Sequence, residues 1–322
     1  MRQIAALLLL TLCAVAPAFA QNTEKLPIVG VLRMNTPETA QLPVTGLKAA
    51  LAALGRVDGR NIRLDVRLAG GHIERLPELA EALVREKASV ILATGLPAIL
   101  AAQRATRTIP IVADDDDLLA EGVIGSLAKP GGNTTGISIL ATELDAKRLE
   151  ILKQIRPAAR RIALLRDPSN SAPARVQPVA DTARALGVEL QAVDVHSPAD
   201  LAPAFGSFLA AGAEAVNILA SPVLFSFREQ LVPLSLDQKL PAMCQWRAMA
   251  EAGCLASYGP TLRELAAMRA ALADKMLTRA RPGETPAQQP IRLELVINQR
   301  TAHAIGVEIP QAILGRADEV IE

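Results

Sequence analysis

Short, unbroken apolar runs alternate along this chain with longer segments whose apolar residues recur at helical spacing. That alternation predicts βαβ units built on parallel sheets. Ile28 to Leu32 is the first predicted strand. Val44 to Leu54 follows as a helix ending at Gly55, a residue type that closes helices without strain. Asn61 to Val66 is a second strand. Between Glu74 and Lys87, Leu76, Leu79 and Leu83 fall on one helical face and charges on the other. Ser89 to Ala93, Pro97 to Thr106 and Pro110 to Ala113 supply a strand, a helix and a strand, completing one doubly wound unit.

The segment Lys129-Pro-Gly-Gly-Asn-Thr-Thr-Gly136 is the densest turn signal in the chain and reads as the crossover between two halves. The alternation then restarts. Leu144, Arg148, Ile151, Leu152 and Ile155 mark a helix, Arg161 to Leu165 a strand, and Ala174 to Leu186 a helix closed by Gly187. Val188 to Val193, Asp200 to Ala211 and Ala215 to Leu219 continue the pattern, and Phe225 to Lys239, Pro241 to Cys244 and Cys254 to Ser257 complete the second half. A helix near Leu262 to Arg279, a strand at Ile291 to Ile297 and a short helix from Arg300 follow. The expected fold class is α/β, with two doubly wound, Rossmann-like lobes. Residues 27–140 with 260–288 form the first lobe, and 141–259 with 289–322 the second. Ligands of open parallel sheets sit beyond the carboxyl ends of the strands, so two facing edges put the site in the cleft between lobes.

Composition narrows the function classes. The chain has 322 residues, half of them hydrophobic, enough for two domains. Lys and Arg total 34 against 33 acidic residues, which gives no footprint for nucleic acid. Aromatic residues make up only 2%, with Trp246 the single tryptophan. Residues 1–20 read as a cleaved signal peptide. Arg2 gives a basic start, Ile4 to Val15 an apolar stretch too short for a comfortable span, and Ala18-Phe19-Ala20 a cleavage site. Cys13 follows Leu12, where a lipoprotein signal wants a small residue. No later stretch is apolar enough to span a bilayer, so the mature chain is expected to be exported and not membrane-inserted. Cys244 and Cys254 then admit two readings: a disulfide, which an oxidising compartment permits, or two small buried apolar residues.

Several segments resemble, in order, the ABC-transporter substrate-binding family that includes tryptophan/tyrosine-binding proteins. They are GLKAALAALGRVDGRNI (Gly46 to Ile62), RLPELAEALVREKASVILATG (Arg75 to Gly95), ATRTIPIV (Ala105 to Val112) and SLAKPGGNTTGIS (Ser126 to Ser138). RLEILKQIRPAARRIALL (Arg148 to Leu165), QWRAMAEAGCLASYGP (Gln245 to Pro260), QPIRLELVINQRTAHAIGVEIP (Gln289 to Pro310) and the ending RADEVIE complete the set. The resemblance implies the type I periplasmic-binding fold, a ligand cleft between lobes, a periplasmic location and delivery of a small-molecule solute to an ABC transporter permease. One segment departs from the family pattern. Ala113-Asp-Asp-Asp-Asp-Leu-Leu-Ala-Glu121 stands where relatives carry a short Asp-Pro-containing stretch, so the relatives' ligand is not assumed here.

Candidate binding groups follow from the fold, at strand ends and the helix N-termini after them, where exposed N–H groups favour carboxylates. Thr94, Gly95 and Leu96 precede Pro97, which suits a first helical turn. Asn35 and Thr36 follow the first strand, as binding groups or as a helix cap. In the Asp114 to Asp117 run, Asp116 is the candidate to face a cationic ligand group; a solvated acidic loop is the alternative. Asp167 and Asn170 of an Asp-Pro-Ser-Asn turn, and Ser221, belong to the second lobe. Trp246 and Tyr258 are candidate apolar walls.

The remaining motifs argue against catalysis. Gly131-Gly132-Asn133 lacks the Gly-Lys-Ser/Thr of a phosphate loop. The three histidines, His72, His196 and His303, sit in no triad or metal-ligand spacing, and there is no Gly-x-Ser-x-Gly elbow. No enzyme activity, cofactor or metal is expected, and the mature chain is expected to be a monomer. Two functions fit: a transport receptor favouring an amino acid or small carboxylate, or a receptor that presents its ligand to a membrane signalling protein.

Overall fold

The computed structural model describes residues 26–168 and 173–322. The signal segment, with Cys13, lies outside the described residues, as does Asn170. Strand β1 (Ile28–Arg33) divides its side chains between two apolar clusters. Ile28 and Leu32 pack with Leu83 and Ile99 on one face, while Val29 and Val31 pack with Leu47 and Leu272 on the other. A strand covered on both faces has no polar position to spare, which explains its unbroken apolar run.

The first lobe continues through α1 (Pro37–Ala53), β2 (Arg63–Leu68), α2 (Leu76–Arg85), β3 (Val90–Thr94), α3 (Leu96–Ala105), β4 (Ile111–Asp115) and β5 (Thr134–Ser138). Its sheet has the order β2-β1-β3-β4-β5, and every pairing is parallel. Gly136 lets β5 approach β4, because a Cβ there would come within 2.1 Å of the Ala113 carbonyl oxygen.

The second lobe contains α4 (Ala141–Ile155), β6 (Arg161–Arg166), α5 (Pro173–Ala185), β7 (Glu189–Asp194), α6 (Leu201–Ala210), β8 (Ala215–Ile218), α7 (Pro222–Ser226), α8 (Arg228–Asp237), β9 (Ala242–Cys244), α9 (Arg247–Ala252) and β10 (Ala256–Pro260). Helix α10 (Leu262–Leu277) then returns to the first lobe, where it packs on α1 and the sheet. The chain comes back as β11 (Leu293–Asn298), α11 (Gln299–Ile305), α12 (Gln311–Leu314) and β12 (Glu319–Ile321). The second sheet runs β12-β11-β10-β9-β8-β6-β7, with only β10 and β11 antiparallel. It too carries an apolar cluster on each face: Ile162 and Leu164 beneath α4 and α5, Ala163 and Leu165 against Phe205 and Leu231.

Several boundaries differ from the sequence expectation. The glycine-rich turn before Gly136 is not the crossover; it lies inside the first lobe, where the Gly131 N–H donates to the Gly283 carbonyl. Strand β5 escaped notice because its Thr134-Thr135 pair looks polar, yet Thr135 is fully buried and donates its Oγ1–H to the Thr285 carbonyl at 2.8 Å. The crossover falls one strand later, at Ile139 and Leu140, where Leu140 takes the left-handed conformation (φ 55°). Helix α1 starts at Pro37 rather than Val44 because Thr36 and Thr39 form a capping box ahead of it. The expected element from Phe225 to Lys239 breaks at Phe227 into α7 and α8. The second strand is displaced to Arg63–Leu68.

Candidate functional site

The carboxyl ends of β1, β3 and β4 face the segments that follow β8 and β9 of the other lobe, and a partly enclosed cavity lies between them. A wider outer hollow adjoins it, lined by Asn35, Thr36 and His72 from one lobe and by Asp167, His196 and Phe227 from the other. Each strand end contributes the first polar residues after its apolar run, so the sheet itself sets the spacing of the groups.

Arg33 ends β1 and is buried. Its Nε–H donates to Asn35 Oδ1 at 3.0 Å and its Nη1–H to Thr94 Oγ1 at 2.9 Å, both neutral acceptors. Among the described residues it forms no ion pair. Burial first, then the like charge of Arg269, pull its pKa down to about 9, with Asp114 pulling the other way. Arg269 reaches the cavity from α10, and its Nε–H donates to Asp114 Oδ2 at 2.6 Å. Both members of that pair are buried, so Asp114 is matched within the protein.

Asp116 has a different task. Helix α4 starts after Leu140, which has no capping side chain, so its first N–H groups need acceptors from elsewhere. Asp116 supplies them: Oδ1 accepts from the Thr142 N–H at 2.8 Å and Oδ2 from the Thr142 hydroxyl at 2.6 Å. The carboxylate also suits the positive end of α4. Asp116 therefore lines the cavity while tying the first lobe to the first turn of the second. The solvated acidic loop is not seen, because Asp114, Asp115 and Asp116 are all buried.

The second lobe brings Ala220, Ser221, Pro222 and Phe225 from the turn after β8. Ser221 caps α7 by accepting from the Val223 and Leu224 N–H groups, and its own hydroxyl donates to Asp167 Oδ2 at 2.7 Å. Gln245 and Trp246 follow β9. The indole of Trp246 meets the Phe225 ring edge to face, with centroids 4.9 Å apart. Both residues are more than nine-tenths buried, and Trp246 Nε1, Gln245 Nε2 and Gln245 Oε1 have no hydrogen-bond partner among the described residues. Buried polar atoms in that state cost stability, so their presence on a cavity wall points to a partner that arrives from outside.

Cys244 and Cys254 are bonded, with Cα atoms 6.3 Å apart. The bond closes the loop that carries Gln245 and Trp246. Beneath the other cavity segment, Asp145 and Arg148 of α4 form a fully buried ion pair at 2.5 Å. Asp145 Oδ1 also accepts from the Ala220 N–H at 3.0 Å, and the Arg148 Nη1–H donates to the Tyr258 carbonyl at 2.7 Å.

Of the residues expected at the site, Asn35, Thr94, Asp116, Ser221 and Trp246 line the cavity. Thr36 and Asp167 line the outer hollow. Gly95 (φ 89°) sits at its edge, where a Cβ would lie 3.9 Å from Pro222 Cγ. Leu96 and Tyr258 are not brought there. Leu96 packs into the cluster under α2 and α3, and Tyr258 points from mid-strand into the cluster under α4. Sequence reasoning missed Arg33, Arg269 and Gln245. Arg269 had a visible signal: it shares the buried stripe of Leu265, Leu272 and Met276, where an aliphatic residue belongs. Among the described residues no helix is long and apolar enough to cross a membrane, and no cluster of His, Cys, Asp or Glu could hold a metal.

Comparison with known proteins bears on this arrangement. The pattern of the family described as ABC transporter substrate binding protein matches residues 29–321. A tyrosine-binding protein of Clostridioides difficile (strain R20291) is 24% identical over 289 residues, covering 89% of this chain and 83% of that protein. A conserved domain protein from Vibrio cholerae O1 biovar El Tor superposes with a TM-score of 0.85 at 26% identity, covering 92% of this chain and all of the other. An ABC domain from Streptococcus pneumoniae, solved in complex with L-Trp, gives 0.82 at 23% identity with the same coverage. The two lobes form the type I periplasmic-binding fold.

Proposed function

The chain belongs to the ABC transporter substrate binding protein family, and from that premise we propose that it is the extracytoplasmic solute receptor of an ABC importer. It binds a small molecule, an amino acid or a small carboxylate, between its lobes and delivers it to a permease in the membrane. It carries out no reaction on the solute. The signal segment at residues 1–20 takes it to the periplasm, an oxidising compartment compatible with the Cys244–Cys254 bond.

The observation that carries this reading is the wall of the cavity. Buried donors from both lobes line it: Arg33 on one side, held only by the neutral acceptors Asn35 and Thr94, and on the other Gln245 and Trp246, whose side-chain polar atoms have no partner among the described residues. A solute that bridges them does so only when the lobes are together, so its contacts favour the closed form by its differential affinity for the two forms. The permease then reads the closed spacing. The three crossing points between lobes are the hinge, and Asp116 on the first turn of α4 fixes where one of them begins.

A melting screen of the mature protein against amino acids, organic acids, sugars and nucleosides tests the reading. A ligand that binds only the folded state at a hundred times its Kd adds about 2.7 kcal/mol, a readily measured upward shift. An amino acid or small carboxylate that shifts the melting temperature supports the receptor assignment. No shift with any class removes it.

A further inference from the structure

Resting on the receptor reading, we infer that the solute is recognised first as an anion: its carboxylate sits on Arg33, and a second acceptor oxygen takes the hydrogen bonds of Gln245 and Trp246 from the opposite lobe. Among the described residues, Arg33 differs from Arg269, the other cation on the cavity wall, in what holds it. The Asp114 carboxylate is bonded to Arg269, and the Asp116 carboxylate accepts from the backbone N–H and the hydroxyl of Thr142. Among the described residues lining the cavity, Arg33 is the cation whose hydrogen bonds go only to neutral acceptors. A buried guanidinium held in that way is costly until an anion reaches it.

The opposite wall is rich in donors. Trp246 Nε1 donates only, and the Gln245 amide supplies an N–H pair beside its own oxygen. An acid carrying a hydroxyl, keto, amino or second carboxyl group satisfies one or both sides, and the matching amide lacks the charge for Arg33. The amine of an amino acid is accordingly tolerated but is not the group that selects.

Matched probes decide the matter: L-leucine, its 2-hydroxy and 2-keto acid counterparts, leucinamide, and the same set built on tyrosine, with glucose as a neutral polyol. Binding is measured by calorimetry on wild type, Arg33→Gln, Arg33→Lys and Trp246→Phe. The acids of at least one set bind, with or without the amine, and the amide binds about 100-fold more weakly, as expected when a buried charge pair loses one member. Arg33→Gln brings the acid down to the level of the amide, Arg33→Lys recovers part of the loss, and Trp246→Phe costs about 10-fold through one lost donor.

In the unliganded protein Arg33→Gln melts at or above the wild-type temperature, since it removes a buried cation hydrogen-bonded only to neutral acceptors; a purely structural arginine would lower it. Acid affinity also falls above pH 9, where Arg33 gives up its proton, with Asp114, Asp115, Asp116 and Arg269 the charged groups facing it. An amide that binds as tightly as its acid, or a folded Arg33→Gln variant with unchanged acid affinity, overturns the anion inference and leaves the receptor reading standing. Wild type that binds none of the probes, nor any compound of the wider melting screen, overturns the receptor reading itself.

Discussion

The ion pair under the cavity offers a sharp test of how site and stability are coupled. Asp145 and Arg148 are both fully buried, their charged atoms 2.5 Å apart. Asp145→Asn keeps the shape but removes the negative charge, leaving Arg148 as a fully buried cation that has lost its ion-pair partner. Breaking a buried pair by removing one partner costs about 3–5 kcal/mol. At roughly 2–4 °C per kcal/mol for a protein of this size class, the melting temperature should drop by about 6–20 °C. The double variant Asp145→Leu, Arg148→Met removes both charges and should recover much of that loss, because neither charge is stranded. It should not recover solute affinity, since the hydrogen bond from the Ala220 N–H to Asp145 Oδ1 is lost and the cavity segment after β8 loosens. Thermal melts followed by circular dichroism, together with calorimetric titration, measure both. An Asp145→Asn variant melting within about 2 °C of wild type would refute the reasoning.

Two further outcomes follow from local geometry. Gly95→Leu should reduce solute affinity at least 10-fold while the protein still folds: a positive φ costs a side chain about 1–3 kcal/mol, and a Cβ there would already touch Pro222 Cγ at 3.9 Å, so the atoms beyond it press on the other lobe. Unchanged affinity in calorimetry would remove that turn from the closing surface. Replacing Cys244 and Cys254 together by alanine removes a cross-link spanning 10 residues. Chain entropy puts that at about 3 kcal/mol, or roughly 6–12 °C in melting temperature, and affinity should weaken as Gln245 and Trp246 lose their frame. Equal melting of the two proteins would show that the bond adds no stability.

How far the chain could be read depended on whether a residue's neighbours were local. Strands β1, β3 and β6 were legible because a parallel sheet covered on both faces leaves only apolar side chains in the run. Strand β5 was not, because its two threonines become acceptable inside only through a bond to Thr285, distant in sequence. Thr94 and Ser221 were predictable cleft residues, since each stands where a strand gives way to a helix. Arg269 carried a weak signal as a charge in an apolar stripe, but nothing nearby said that Asp114 would meet it.

By itself, then, the order of apolar runs and helical stripes determined two α/β lobes and an edge at which ligands gather, because backbone periodicity and side-chain burial act over a few residues. The tertiary structure decided the rest. It assigned Asp116 to the first turn of α4, matched Asp114 with Arg269, held Arg33 on the neutral acceptors Asn35 and Thr94, and left the polar atoms of Gln245 and Trp246 on the cavity wall with no partner among the described residues. Those outcomes rest on charges and hydrogen bonds between segments far apart in the chain, whose energies depend on distance and burial that no local pattern contains.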